Sequence, residues 1–441
     1  MSEGVVIRGR LAGVMLAVAL VLPAAAAAQS QAGPFAGLFG RTPPRTGQEV
    51  TRVEARTGLS GLYDGVGPGR PSASHPSVPN GGAIAGVNAG INFESRRDRL
   101  QLRGRTSASH QQFLQTPTLA TSVYDAGVTV TAKVATRFTI DAGASATRSP
   151  FFQLAFATPT PGDTLTVAVP GDFLTAPLMA NDAFEGMLGF TNQFSKRSSV
   201  SASVSRRATL FRDQPENDYN VFGARGELRH RVSRGATLRL GYGREQSRQN
   251  SLGPDRFVHE VIDAGIDLDR ALAIGRRTTF SFYSQNSMLR ESGGPRRYRL
   301  NGGISLRRQI GRSWSVALAA NRNTDFEPGF LAPLFSDALS LTIGGLLSPR
   351  LEWTAGLGAR RGHVGFDTGE SFSNYSGVTR LSIGLTRKTG LFAQYGYYDY
   401  EVSPASTIVG LLPALSRQQV SVGLSIWLPI YSHVREPRDP R

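Results

Sequence analysis

The chain has 441 residues, a formal net charge of +16 and no cysteine, and only 40% of its residues are apolar. The missing cysteines exclude a disulfide framework and a lipid-attached N-terminus. Arginine supplies all the basic residues except Lys133, Lys196 and Lys388, and it is scattered through alternating segments rather than gathered on one stripe, which argues against a nucleic-acid partner.

Arg8 and Arg10 precede an apolar run from Leu11 to Leu22, and small residues follow as far as Ala28. This is the pattern of a cleaved secretory signal over residues 1–28, since the apolar run is too short for a spanning helix. Residues 29–48, rich in Gly and Pro, read as a flexible periplasmic lead. From about Glu49 to Leu62 Thr51, Val53, Ala55, Thr57 and Leu59 alternate weakly with Arg52, Glu54 and Arg56.

From Ala83 the alternation becomes regular. Val87, Ala89, Ile91 and Phe93 share a face, Leu100 and Leu102 oppose Gln101, Arg103 and Arg105, and the same dyad pattern runs through Val128–Ala132, Phe138–Ala144, Phe184–Phe194 and Val200–Leu210. It continues through Phe222–Leu228, Leu238–Tyr242, Ile262–Leu268, Thr278–Phe282, Tyr298–Leu306, Trp314–Leu318, Leu339–Ile343, Leu351–Leu357, Leu381–Leu385 and Leu391–Tyr397. It closes on Val420, Val422, Leu424, Ile426 and Leu428, with Gln419, Ser421, Gly423 and Ser425 on the other face. Strands of about ten such residues cross a bilayer at a tilt of about 45°. A water-lined barrel has the mean hydropathy of a soluble protein, so the value of −0.19 is no objection.

Tight turns near Arg97, Thr136, Arg197, Arg234, Gly275, Gly311, Ser348 and Thr389 recur at intervals of roughly 40 residues, with one longer gap, so a hairpin of near-constant length repeats. The fold class is therefore all-β, a transmembrane antiparallel β-barrel over residues 49–428. A periplasmic N-terminus and an even strand number give 18 strands, with 16 as the fallback if the Glu49–Leu62 stretch is not a strand. Residues 429–441 read as a C-terminal tail. The longer gap holds an apolar insertion, 149–182, which becomes the third external loop.

With these elements in place the chain resembles bacterial outer-membrane porins, and its strand count is similar to that of their sugar-specific branch. The resemblance covers about Glu49 to Leu428 and is architectural. It implies that loop 149–182 folds into the lumen, where Asp163 and Asp172 would face an arginine wall across a constriction. The chain departs from porins at its C-terminus, where it runs past Trp427 through Pro429 and Tyr431 to Arg441 instead of ending on an aromatic residue.

The face opposite the oily one carries Arg103, Arg105, Arg207, Arg225, Arg229, Arg239, Arg297, Arg299, Arg307, Arg360 and Arg380, against the acids Glu94, Asp141, Glu227, Asp263, Asp267 and Glu352. Low-dielectric walls focus such charge into a channel and lean it toward anions, whereas cross-strand pairing of the same groups would only brace the wall. Tyr283, Phe392, Tyr398, Tyr400 and Trp427 also fall inward, where they could stack on sugar rings or serve as interfacial girdle. Tyr298, Trp314, Trp353, Tyr375 and Tyr395 lie on the oily face as girdle residues.

Enzyme signals are absent. His75, His110, His230, His259, His363 and His433 lack ligand spacing, so neither a metal nor another cofactor is implied. The run Gly356 to Gly362 lies on a strand rather than opening a helix, which argues against a nucleotide-binding loop.

The expected function is passive diffusion of small polar solutes through an outer-membrane barrel. The alternatives are a barrel that moves saccharide or exopolysaccharide and a plugged structural or adhesive barrel that binds partners through its external loops. The partners implied are outer-membrane lipid and lipopolysaccharide, the barrel assembly machinery, and small polar solutes or saccharides. A homo-oligomer stays open, since no strand's outward face marks an interface.

Overall fold

In the computed structural model the described residues are 49–66, 81–115, 120–151, 178–212, 214–233, 235–250, 256–271, 277–291, 296–311, 313–326, 332–365, 371–403 and 414–435. They form eighteen strands: β1 (Glu49–Val66), β2 (Gly81–Arg96), β3 (Leu100–Phe113), β4 (Ala120–Ala135), β5 (Phe138–Phe151), β6 (Leu178–Asn192), β7 (Ser198–Phe211), β8 (Tyr219–Ser233), β9 (Ala236–Gln249), β10 (Arg256–Ala271), β11 (Thr278–Glu291), β12 (Arg296–Ile310), β13 (Trp314–Asp325), β14 (Leu334–Ser348), β15 (Leu351–Val364), β16 (Ser371–Gly384), β17 (Thr389–Val402) and β18 (Ala414–Arg435). Each pairs antiparallel with its sequence neighbours, and β1 pairs with β18 to close the ring. Closure leaves no sheet edge, the condition for a sheet to span lipid. This is the transmembrane architecture of the bacterial outer membrane.

The dyad pattern decides which face meets lipid. Leu59, Val87, Ile91, Leu240, Leu300, Leu357, Val420 and Val422 are exposed apolar residues on the outer face. At the tight-turn end Trp314 packs on Trp353 at 5.8 Å between ring centres, and their indole N–H groups donate to Leu346 O (3.1 Å) and Thr379 Oγ1 (2.9 Å). At the opposite end, termed here the loop end, the outer face becomes charged: Arg322 pairs with Asp337 at 2.6 Å, and Arg148 and Arg212 with Asp182 at 3.5 and 3.2 Å. The apolar band lies between these two borders.

Two boundaries differ from the sequence reading. The weakly alternating first strand extends to Val66 and is bonded along its length on both sides, because closure gives it β2 and β18 as partners irrespective of its own modest propensity. The last strand continues past Leu428 to Arg435, so residues 429–435 belong to the wall and not to a tail. Pro429, which has no N–H to offer a ladder, sits at a bulge where Val53 pairs with Tyr431 and Glu54 with Pro429, leaving Ile430 as the extra residue.

The insertion 149–182 is shorter than its expected bounds, since β5 reaches Phe151 and β6 begins at Leu178. Asp163 and Asp172 lie outside the described residues, as do residues 1–48, over which a signal segment and a lead are expected.

Candidate lumen site

Arginines of the turn half are fixed to the wall in two ways. The first is pairing along the inner face. Arg105 lies 2.9 Å from Asp125, Arg103 lies 3.7 Å from Glu94, and Glu227 is held between Arg225 (3.0 Å) and Arg229 on the same strand, two residues to either side. Glu227 is buried whereas Arg225 and Arg229 keep 41% and 54% of their side-chain surface open, so the cations and not the acid present themselves to the lumen.

The second is a stack of glycine, ring and arginine. Tyr283 on β11 lies against Gly303 on β12, where an added Cβ would meet the ring at 2.5 Å, and Arg239 reaches over the ring at 5.8 Å. Phe392 on β17 lies against Gly423 on β18 in the same manner, with Arg380 over it at 4.2 Å. Bare glycine lets the ring lie flat, and the ring's electron-rich face holds the cation at a defined height. Tyr283 and Phe392 take inner-face positions by strand parity, and one face of each is engaged by arginine.

The loop half is packed with side chains. Leu62, Ile84 and Phe113 form one buried cluster. Tyr219, Val221, Leu289, Phe326 and Phe335 form another, joined by Phe257. Phe326 follows β13 and packs on Phe257 and, edge-on at 5.9 Å, on His259. Arg207 on β7 donates to the carbonyl of Phe326 at 3.5 Å, so β7 and the end of β13, far apart around the ring, are tied together inside it.

This packing corrects part of the expected lumen. Arg360 is 2% exposed, donates to Ser336 Oγ at 2.8 Å and lies against Phe372, so it braces β14–β16 instead of lining a water path. Arg299 sits over the Phe335 ring at 5.1 Å and 3.8 Å from Asp337, drawn to the loop end. Tyr398 and Tyr400 are buried against each other at 5.8 Å and offer no free face to a sugar. Trp427 is buried as well, and its indole N–H donates to Glu54 Oε2 at 3.2 Å across the β18–β1 seam. Arg297, Arg307 and Glu352 take inner-face positions by strand parity, while for Asp263 and Asp267 only the backbone positions on β10 are described.

Below Phe326 lies a cavity of about 290 Å³ that sequence reading missed. It is bounded by seven consecutive strands, β7 to β13, and lined by Ser203, Ser205, Glu245, His259, Gln285 and Asn323, among others. Register explains its position: Ser205, Gly223, Glu245 and His259 pair in sequence across β7–β10, and Ser203, Arg225, Gly243 and Val261 form the adjoining row. Gly223 and Gly243 lower the wall in both rows. Glu245 and His259 are 3.3 Å apart. Asn301 donates to Ser287 Oγ (3.1 Å) and Thr324 Oγ1 (3.3 Å), which fixes the far side. Among the described residues no cluster of three or more His, Asp or Glu could hold a metal ion.

No protein-family model matches the chain, and no curated protein does. Solved structures similar to it include OccK2 (OpdF) of Pseudomonas aeruginosa, crystallised in complex with glucuronate, at 7% identity over 86% of this chain and 98% of that one, with a TM-score of 0.46. OpdQ of Pseudomonas aeruginosa is similar at 9% identity over 86% and 98%, TM-score 0.44, and Acinetobacter baumannii OccAB4 at 10% over 86% and 98%, TM-score 0.42. The chain has the architecture of an outer-membrane β-barrel. The closed ring of eighteen strands with an oily exterior and a charged interior carries that statement.

Proposed function

We propose that this barrel is a passive outer-membrane channel for small polar solutes, with an interior that leans toward anions. The observation that supports it is the arginine lining of the turn half, where Arg103 is more open than its partner Glu94, and Arg225 and Arg229 keep large parts of their side chains open while the Glu227 they share is buried. Cations held on a low-dielectric wall raise the local concentration of anions. No chemical step is required of any residue.

The test is single-channel current of the folded mature chain, Gln29 to Arg441, in a planar bilayer under a salt gradient. Steady conductance with a reversal potential of anion sign supports the reading, and a cation-sign potential sinks its anion part. Silence from a folded barrel favours a second reading, a plugged structural barrel, for which the packed loop half and Phe326 speak.

A further inference from the structure

We infer that the turn end of the barrel, over the arc from β2 to β9, is a binding site for anionic phospholipid. The turn cations hold the phosphate, and the acyl chains lie on the wall above them. The site is on the outer surface and is independent of solute passage through the lumen.

The turns of this arc carry one sign of charge. Arg97, Arg99, Arg137, Lys196, Arg197 and Arg231 are exposed, and Asp98 is the one exposed acid beside them among the described residues. A surface that serves solubility alone intersperses both signs. At the loop end Arg148 and Arg212 pair with Asp182, and Arg322 with Asp337, whereas none of these turn cations forms an ion pair among the described residues.

Register crowds the cations together. The N–H groups of Lys133, Gln193 and Arg231 donate to the carbonyls of Arg99, Arg137 and Arg197, each at 2.7 Å, so each turn is bonded to the next hairpin through a basic residue. The guanidinium of Arg137 also donates to the carbonyl of Phe194 at 3.5 Å and so spans two turns. Like charges held side by side repel, and an anion shared between them removes that cost. Phosphate oxygens match both the planar fork of arginine and the point charge of lysine.

A second observation selects lipid as the source of the phosphate. Val134, Phe194 and Val232 keep 58%, 51% and 54% of their surface open at these same turns. By strand parity they continue the lipid-facing rows of β4, β6 and β8, so the apolar wall runs without a break down to the cations. A water-soluble polyanion would engage the basic residues and leave these side chains in water. A phospholipid covers both, since affinity for a membrane surface grows with the apolar area buried and with the attraction of basic residues to anionic headgroups.

Native mass spectrometry of the detergent-folded mature barrel, offered equimolar phosphatidylglycerol and phosphatidylcholine with identical chains, tests the site. Phosphatidylglycerol should be retained about tenfold over phosphatidylcholine. Replacing Lys196, Arg197 and Arg231 together by Gln should abolish most of that preference, and their side chains make no bond to the wall among the described residues. Phe194→Ser should lower retention of both lipids severalfold. Equal retention of the two lipids by the unaltered barrel, or an undiminished preference in the triple variant, would overturn the proposal. So would displacement of phosphatidylglycerol by an equimolar amount of its deacylated headgroup, glycerophosphoglycerol, which would make a free phosphate ester the ligand. Folding is checked by heat-modifiable electrophoretic mobility. If the triple variant does not fold, Arg197→Gln alone decides, with an expected loss of preference of about two- to threefold.

Discussion

Arg417 of the last strand places its guanidinium 3.3 Å from the carboxylate of Asp64 on the first, with only 1% and 4% of the two side chains exposed. The pair bridges the seam where the ring closes, near its loop end, while Trp427 and Glu54 bridge the same seam toward the turn end. Strands separated by almost the whole chain pay the largest loop-closure entropy to meet, and the buried pair joins them at a defined register.

Asp64→Ala leaves the guanidinium of Arg417 buried without its carboxylate. Chemical denaturation of the folded barrel, followed by electrophoretic mobility, should show a loss of about 3–5 kcal/mol. Replacing both residues by apolar ones, Asp64→Leu with Arg417→Met, should recover most of it. An unchanged midpoint in Asp64→Ala would show that the pair does not stabilise the seam.

Truncation after Leu428 removes the partners of residues 49–54 on β1 and opens an edge at the turn end. The folded fraction after refolding into lipid should fall severalfold. Truncation after Arg435 keeps every described pairing and should refold like the full chain.

Gly303→Ala pushes a methyl into the Tyr283 ring, which lies 2.5 Å from the position the Cβ would take. Overpacking of this kind costs about 1–3 kcal/mol. Since the conflicting atoms all belong to that ring, Tyr283→Ala in the same chain should cancel most of the cost, and a double-mutant cycle on denaturation midpoints measures the coupling.

Neutralising the stacked cations, Arg239→Gln with Arg380→Gln, is expected to lower the anion-to-cation permeability ratio by roughly two- to threefold, read from the reversal potential in a salt gradient. The effect should shrink at high ionic strength as screening shortens the reach of the remaining charges.

Phe326→Ala removes the residue that joins β8, β10, β11 and β14 inside the ring. Conductance should rise, because the obstruction at the loop half is reduced, and stability should fall by about 3 kcal/mol. Unchanged conductance would locate the narrowest point elsewhere.

The sequence by itself determined the barrel. Alternation along a strand is a local property, so Val420, Val422 and Leu424 announce an oily face and Arg103 and Arg105 a wet one without knowledge of any partner. Recurring turns supplied the number of strands, and parity supplied the first of them. The inward positions of the turn-half arginines follow from the same alternation.

What only the tertiary structure decided depends on distance across the ring. Whether an inward residue meets water or another side chain is set by which strands face it, and this buried Arg360, Tyr398 and Tyr400 while leaving Arg229 open. The pairing of Arg417 with Asp64, the flat seating of Tyr283 on Gly303 and the cavity around His259 all join residues on different strands through register and curvature. A dyad pattern says which way a side chain points, and only the closed ring says what it meets there.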